Sequence, residues 1–242
     1  FPTRRSSDLV NLLKLNENEK IATIIPIKEY TQNDYFVMVT RNGIVKRISI
    51  SQFKSINRGG IYALNIRDND ELISVLKTNG EQKIFIATKN GFGITFNETD
   101  IRPTGRMAAG VHGIKLSEND FVIGAGIVDS NSKALFVSEN GFGKCVEPDN
   151  FVVQNRGGKG RIYYKIREKK GDIVGLEFVN NSDEVMLINS EGIIIRIRIN
   201  DISTQGRYAT GVKLIELDKN VKVVGTAKIA DEEIAEQVSF IK

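Results

Sequence analysis

Histidine and cysteine are almost missing from this chain, with one of each, His112 and Cys145, in 242 residues. A zinc site draws three or four ligands largely from these residue types, and a His-based triad needs its histidine beside a nucleophile and a carboxylate. Metal-dependent and triad-type hydrolysis therefore have no sequence support, and neither a catalytic residue nor a cofactor is expected here. His112 follows Gly110-Val111 and reads as a structural strand residue, as does Cys145. A single cysteine excludes an internal disulfide framework and fits a reducing cytoplasm. No run of apolar residues approaches the roughly 18 of a membrane span, so a soluble protein with no membrane partner is expected. Low-complexity segments and long linkers are also absent.

Hydrophobic residues make up 40% and charged residues 26%, enough for a sizeable core under a charged surface. The formal charge of +4 is unevenly placed. The segment from Asp231 to Lys242 carries −3, leaving +7 on the rest. A basic body with an acidic tail fits an anionic partner and a tail that competes for the same surface; a solvated basic face fits equally well. The first nine residues, FPTRRSSDL, read back as codons resemble a sequencing adapter and are expected to stand outside the pattern of the protein.

That pattern is a repeat. YFVMVTRNGIVKRISI (35–50), IFIATKNGFGITF (84–96), LFVSENGFGKCV (135–146) and VMLINSEGIIIRIRI (185–199) each show an apolar run, a turn and a second run. Three of the four turns are Asn-Gly, which predicts two-residue type I′ hairpins with both central residues at positive φ. The turn glycines Gly43, Gly91, Gly141 and Gly192 lie 48, 50 and 51 residues apart, a period in the range of propeller blades. An arginine stands 15 residues after each: Arg58, Arg106, Arg156 and Arg207. Four residues later come Gly110, Gly160 and Gly211, with Tyr62 in the first repeat, which is two residues shorter. Further apolar runs such as FVIGAGIV (121–128) and VKVVGTAKI (221–229) complete units of about four short strands, which cannot bury their faces alone.

The units expected are 35–82, 83–132, 133–182 and 183–230. Residues 10–34 match the back half of a preceding unit, and 231–242 form the tail. The fold class is all-β: a propeller-like disc of about four-stranded blades forming a partial ring.

Positive charge recurs at two places in the repeat. The four arginines at the 15-residue offset fit either a phosphate ladder around a rim or a fixed inter-blade salt bridge. Lys46, Arg47, Lys144, Arg196 and Arg198 follow the hairpin turns and place charge near one edge of each blade. Alternation in IIIRIRI turns Arg196 and Arg198 to one solvent-facing side. The densest stretch is QNRGGKGR, with Gln154, Arg156, Gly157, Gly158, Lys159, Gly160 and Arg161. Its glycines let backbone N–H groups approach a phosphate, and its three cations stand beside them. The bland alternative is a glycine-rich inter-blade turn. GFG at 91–93 and 141–143 is a hairpin exit, since no strand–loop–helix context follows for a nucleotide loop.

VNLLKLNENEKI, the turns in TRNG and ENGFGK, the Arg-x-x-x-Gly-Val elements and QNRGGKG together resemble the C-terminal domain of the DNA gyrase A family over nearly all of residues 10–230. The paralogous A protein of topoisomerase IV is the close alternative. The resemblance implies a β-pinwheel whose blades exchange strands and whose basic rim binds, bends and wraps duplex DNA without reading its sequence. It implies a parent type IIA topoisomerase that controls supercoiling, working in the bacterial cytoplasm on the nucleoid. There the rest of the gyrase A protein and the ATPase, gyrase B, join it in an A2B2 tetramer. The family's cleaving tyrosine belongs to an upstream domain, so no tyrosine here takes that role. Its signature box, Gln-Arg-Arg-Gly-Gly-Lys/Arg-Gly, is matched by Gln154, Arg156, Gly157, Gly158, Lys159 and Gly160, with Asn155 departing from arginine. In the family that box lies in the first blade, upstream of NLL, so 154–160 reads as its later-blade cousin. A propeller scaffold for an acidic protein is the rival reading.

Overall fold

The structure, a computed structural model, describes residues 23–56, 60–67 and 69–229. The expectations for residues 1–9 and 10–22, for Arg58 and for the acidic tail lie outside the described residues.

The first repeat forms a hairpin of β1 (Tyr35–Thr40) and β2 (Ile44–Ser49), followed by β3 (Leu72–Thr78). The second gives β4 (Lys83–Thr88), β5 (Phe92–Asn97), the two-residue β6 (Val111–His112) and β7 (Val122–Val128). The third gives β8 (Lys133–Ser138), β9 (Phe142–Val146), β10 (Arg161–Ile162) and β11 (Ile173–Val179). The fourth gives β12 (Glu184–Asn189), β13 (Ile194–Arg198), β14 (Val212–Lys213) and β15 (Val223–Ile229). They pair antiparallel into four small sheets, ordered β3-β1-β2-β6, β7-β4-β5-β10, β11-β8-β9-β14 and β15-β12-β13.

The strands β6, β10 and β14 leave their own repeats to cover the hairpin of the preceding one. Val111 lies opposite Val45, Arg161 opposite Gly93 and Val212 opposite Gly143. A blade in space is thus not a unit in sequence: its outer strand belongs to the next repeat. Among the described residues nothing pairs with the outer edge of β13. There Ile193 is 53% exposed, against 6% for its counterpart Ile44.

The hairpin turns depart from the type I′ expectation. Among the described residues only Asn69, Asn119 and Asn220 are non-glycine residues at positive φ, so Asn42, Asn90 and Asn140 are not. Gly43 N–H donates to the carbonyl of Thr40 at 3.0 Å, and the same bond recurs from Gly91, Gly141 and Gly192. With only the glycine left-handed, each loop is three residues long, a turn with negative φ at its centre followed by a left-handed glycine. Asn-Gly signals both geometries, and the strand spacing selects the longer one.

In the second and third repeats the first hairpin strand faces two neighbours. From β4, Ile84 and Ile86 join one buried cluster with Val37 and Val39 of β1, while Phe85 and Ala87 join another with Ala134 and Phe136 of β8. Leu135 and Val137 then meet Val185 and Leu187 of β12. Successive side chains of a strand point to opposite faces, so a strand sandwiched between blades is apolar on both. That explains why IFIA and LFV run continuously instead of alternating.

Candidate nucleic-acid interface

After the second, third and fourth hairpins a single 3-10 turn leads to a loop that crosses toward the preceding repeat and ends in the exchanged strand. Glu98–Asp100, Pro148–Asn150 and Ile199–Asp201 are these turns in the second, third and fourth repeats. Short parallel bridges, Arg47 to Pro103, Thr95 to Val153 and Cys145 to Thr204, fix where each crossing begins. The repeated glycines then pass under the neighbouring hairpin. A Cβ on Gly160, whose φ is +72, would collide with the carbonyl oxygen of Gly93. Gly160 is therefore a glycine for packing reasons, since only a residue without Cβ fits under the neighbouring hairpin.

The repeated arginines divide along the two readings left open by the sequence. Arg156 donates through Nε to the carbonyl of Asp100 at 3.2 Å and through Nη1 to the carbonyl of His112. Arg207 donates through Nη1 to the carbonyl of Ile162 at 3.3 Å, the equivalent position one repeat on, and its guanidinium carbon is 5.6 Å from the ring centroid of Tyr163 and 5.2 Å from that of Tyr208. In both, the bond is a brace between repeats as in the second of the two readings, but from cation to carbonyl and not to a carboxylate. Arg106 differs: its side chain is exposed and has no partner among the described residues.

Lys46 and Lys144 correct the expectation of edge charge. They are 1% and 0% exposed. Lys46 Nζ donates to the carbonyls of Ala63 at 2.8 Å and Arg106 at 2.6 Å; Lys144 Nζ donates to those of Gly206 at 2.6 Å and Arg207 at 2.9 Å. Burial, helped by the nearby Arg207, brings the Lys144 ammonium down to about 8. Burial pushes the neighbouring Cys145 thiol up to about 11 and the Tyr164 hydroxyl up to about 12.

Arg47 is buried as well, 3.7 Å from Glu98 Oε2 and over the Tyr35 ring. The Glu98 carboxylate also accepts bonds from Thr78 Oγ1, Gly80 N and Gln82 N, which makes this a joint between the first two blades. Arg196 and Arg198 do share the exposed side of β13, where both pair with Glu184.

In the 154–160 loop, Gln154 is half-buried with its side-chain oxygen unpartnered inside, and its N–H donates to Thr95. Gly157 N–H is spent on the carbonyl of Gly113 at 2.7 Å. These two belong to the joint. Gly158 and Lys159 are exposed, and their N–H groups have no partner among the described residues. Arg161 is half-buried in β10, its guanidinium unpaired among the described residues.

Two further cations belong here that no sequence motif singles out. Lys115 and Lys165 both stand 24 residues after a turn glycine and are exposed. Lys115 N–H donates to the carbonyl of Gly158 at 2.8 Å and Lys165 N–H to that of Ala209 at 3.4 Å, so each sits beside the next repeat's loop. The shared offset is the signal that could have revealed them. In the fourth repeat the position is Glu216, paired with Lys213 at 2.9 Å.

Exchanged outer strands, a 50-residue period and arginine-braced loops have a counterpart among known families. Residues 34–79, 82–129, 133–180 and 183–230 match the family described as DNA gyrase C-terminal domain, beta-propeller. The chain belongs to that family. It is 52% identical over 225 residues to the DNA gyrase A protein of Clostridium acetobutylicum, covering 93% of this chain and 27% of that protein. It is 44% identical over 240 residues to the Halalkalibacterium halodurans gyrase A protein, covering 98% and 29%. The chain thus spans a little over a quarter of the length of these curated relatives.

Among solved structures, the C-terminal domain of DNA topoisomerase IV superposes with a TM-score of 0.88 at 25% identity, over 96% of this chain and 73% of that one. A DNA gyrase A C-terminal domain superposes with 0.81 at 30% identity, over 92% and 74%. Among the described residues no group of three His, Cys, Asp or Glu could hold a metal ion, and no helix is long and apolar enough to cross a membrane.

Proposed function

We propose that this domain binds duplex DNA through its phosphates and bends it along the loops between blades, without reading base sequence. The observation that carries the reading is the split among its cations. Arg47, Lys46, Lys144, Arg156 and Arg207 are committed to joints, whereas Arg106, Lys115, Lys159 and Lys165 are exposed on successive loops with no partner among the described residues. Cations left free on the loops of consecutive repeats suit a polyanion, and backbone contacts of this kind carry no base information. Smooth bending of 20–30 base pairs costs on the order of 1–6 kcal/mol, which several such contacts would offset.

In this reading the domain is the C-terminal part of a bacterial gyrase-A-type protein within a type IIA topoisomerase. It manages the path of DNA in the cytoplasm, while cleavage by a tyrosine and ATP hydrolysis by gyrase B occur elsewhere in an A2B2 assembly. No cofactor acts in this part.

Ligating nicked circles in the presence of the chain tests the proposal. The expected result is a topoisomer distribution displaced from the control at low salt and restored at high salt. Tight binding with an undisplaced distribution would remove wrapping. Failure to bind duplex, with capture of an acidic peptide instead, would favour a scaffold.

A further inference from the structure

The loops that follow the hairpins are not held alike. In the fourth repeat, four carbonyls of residues 206–211 are occupied by side chains of the third. Lys144 Nζ reaches Gly206 and Arg207, Tyr164 Oη reaches Thr210 at 2.5 Å, and Lys170 Nζ reaches Thr210 at 3.1 Å and Gly211 at 2.7 Å. Lys144 and Lys170 also lie over the rings of Tyr164 and Phe142. In the second repeat one such side chain reaches the loop, Lys46 on the carbonyl of Arg106. In the third none does among the described residues. Where Lys144 stands in the third blade the second has Ile94, and the 154–160 loop is tied by its own Arg156 and by backbone bonds.

We infer that Lys144, with Lys170, is a positioning residue: it fixes the 206–211 loop as a preset wall for DNA, while the 154–160 loop is left to adjust to the phosphates. This rests on the DNA reading above. The chemistry favours a positioning role over a contact. A fully buried ammonium that donates to two carbonyls has no surface to offer a phosphate, and charge-assisted bonds to backbone are roughly twice as strong as neutral ones. Segments whose backbone groups are unsatisfied by the fold open locally at low cost.

The test uses the whole 242-residue chain with Lys144→Met, which keeps the stem and removes the charge. Amide exchange should quicken in 206–211 and stay unchanged in β8 and β9. Duplex affinity should fall roughly three- to tenfold, the size expected when a loop must be ordered on binding, with an unchanged slope of log K against log salt. A direct phosphate contact would instead lower that slope by about 0.9.

The pH profile gives a separate readout. Wild-type affinity should decline more steeply between pH 7 and 9 than that of Lys144→Met. Of the groups facing Lys144, the Tyr164 hydroxyl is pushed up to about 12 by burial and stays neutral throughout, while Arg207 and Lys170, the latter itself lowered by burial, are common to both proteins. If Lys144→Met does not fold, Lys170→Met carries the same exchange and slope measurements. Unchanged loop exchange, unchanged affinity or a reduced slope in the folded variant overturns the inference. If the wild type binds no duplex, the DNA reading fails by itself and amide exchange alone judges the tether.

Discussion

Replacing Lys115, Lys159 and Lys165 together with alanine is expected to weaken duplex binding by several hundredfold at 0.1 M salt. Three lost contacts remove about 2.7 from the slope of log K against log salt, and over the tenfold span from 1 M this amounts to a factor of roughly 500. The loss should be nearly equal for every DNA sequence, since phosphates present the same face everywhere. The fold should be unaffected, because all three side chains are exposed and unpartnered among the described residues. Fluorescence anisotropy across a salt series, alongside a thermal melt, reads both effects. A loss confined to certain sequences would point to base edges as the target.

Phe85→Ala is expected to cause the largest loss of stability. Its ring is fully buried at the joint of the second and third blades, with ring centroids of Phe151 and Tyr163 at 4.7 Å and of Phe136 and Phe178 at 6.1 and 6.3 Å, all of them edge-on. Removing such a ring costs about 3–5 kcal/mol, or roughly 6–20 °C in Tm for a domain of this length. The neighbouring backbone cannot collapse into the space cheaply. Gly93 lies against that ring, where a Cβ would collide with Phe85 Cζ. A loss below about 1 kcal/mol in a denaturant melt would show that the aromatic joint does not hold the blades together.

What is legible in the sequence is local. The turn glycines and the alternation that exposes Arg196 and Arg198 depend on neighbours a few residues away, and the observed hairpins follow them. GFG reads as a hairpin exit, which it is, but its second glycine has a long-range cause: it leaves room for Phe85. A lysine shortly after a turn is ordinarily exposed, and Lys46 and Lys144 are not. Their burial depends on loop carbonyls 60 to 63 residues further along the chain, which no local pattern reveals. The same holds for Gln154 and Gly157, whose partners lie in the preceding repeat. Strand exchange is the common reason, since it moves each loop off its own unit and onto its neighbour.

Labour is divided inside one loop: Arg156 braces the blades, and Lys159 is the side chain proposed to meet phosphate. Measuring the salt dependence of duplex affinity for Arg156→Ala and Lys159→Ala, each with a thermal melt, tests this division most directly. Lys159→Ala should keep the wild-type melting temperature and lower the slope by about 0.9. Arg156→Ala should lower the melting temperature, by about 1–3 kcal/mol of stability for two carbonyls left without their donor, and keep the slope. The reverse pattern, with Arg156 setting the slope and Lys159 leaving it untouched, would contradict the account.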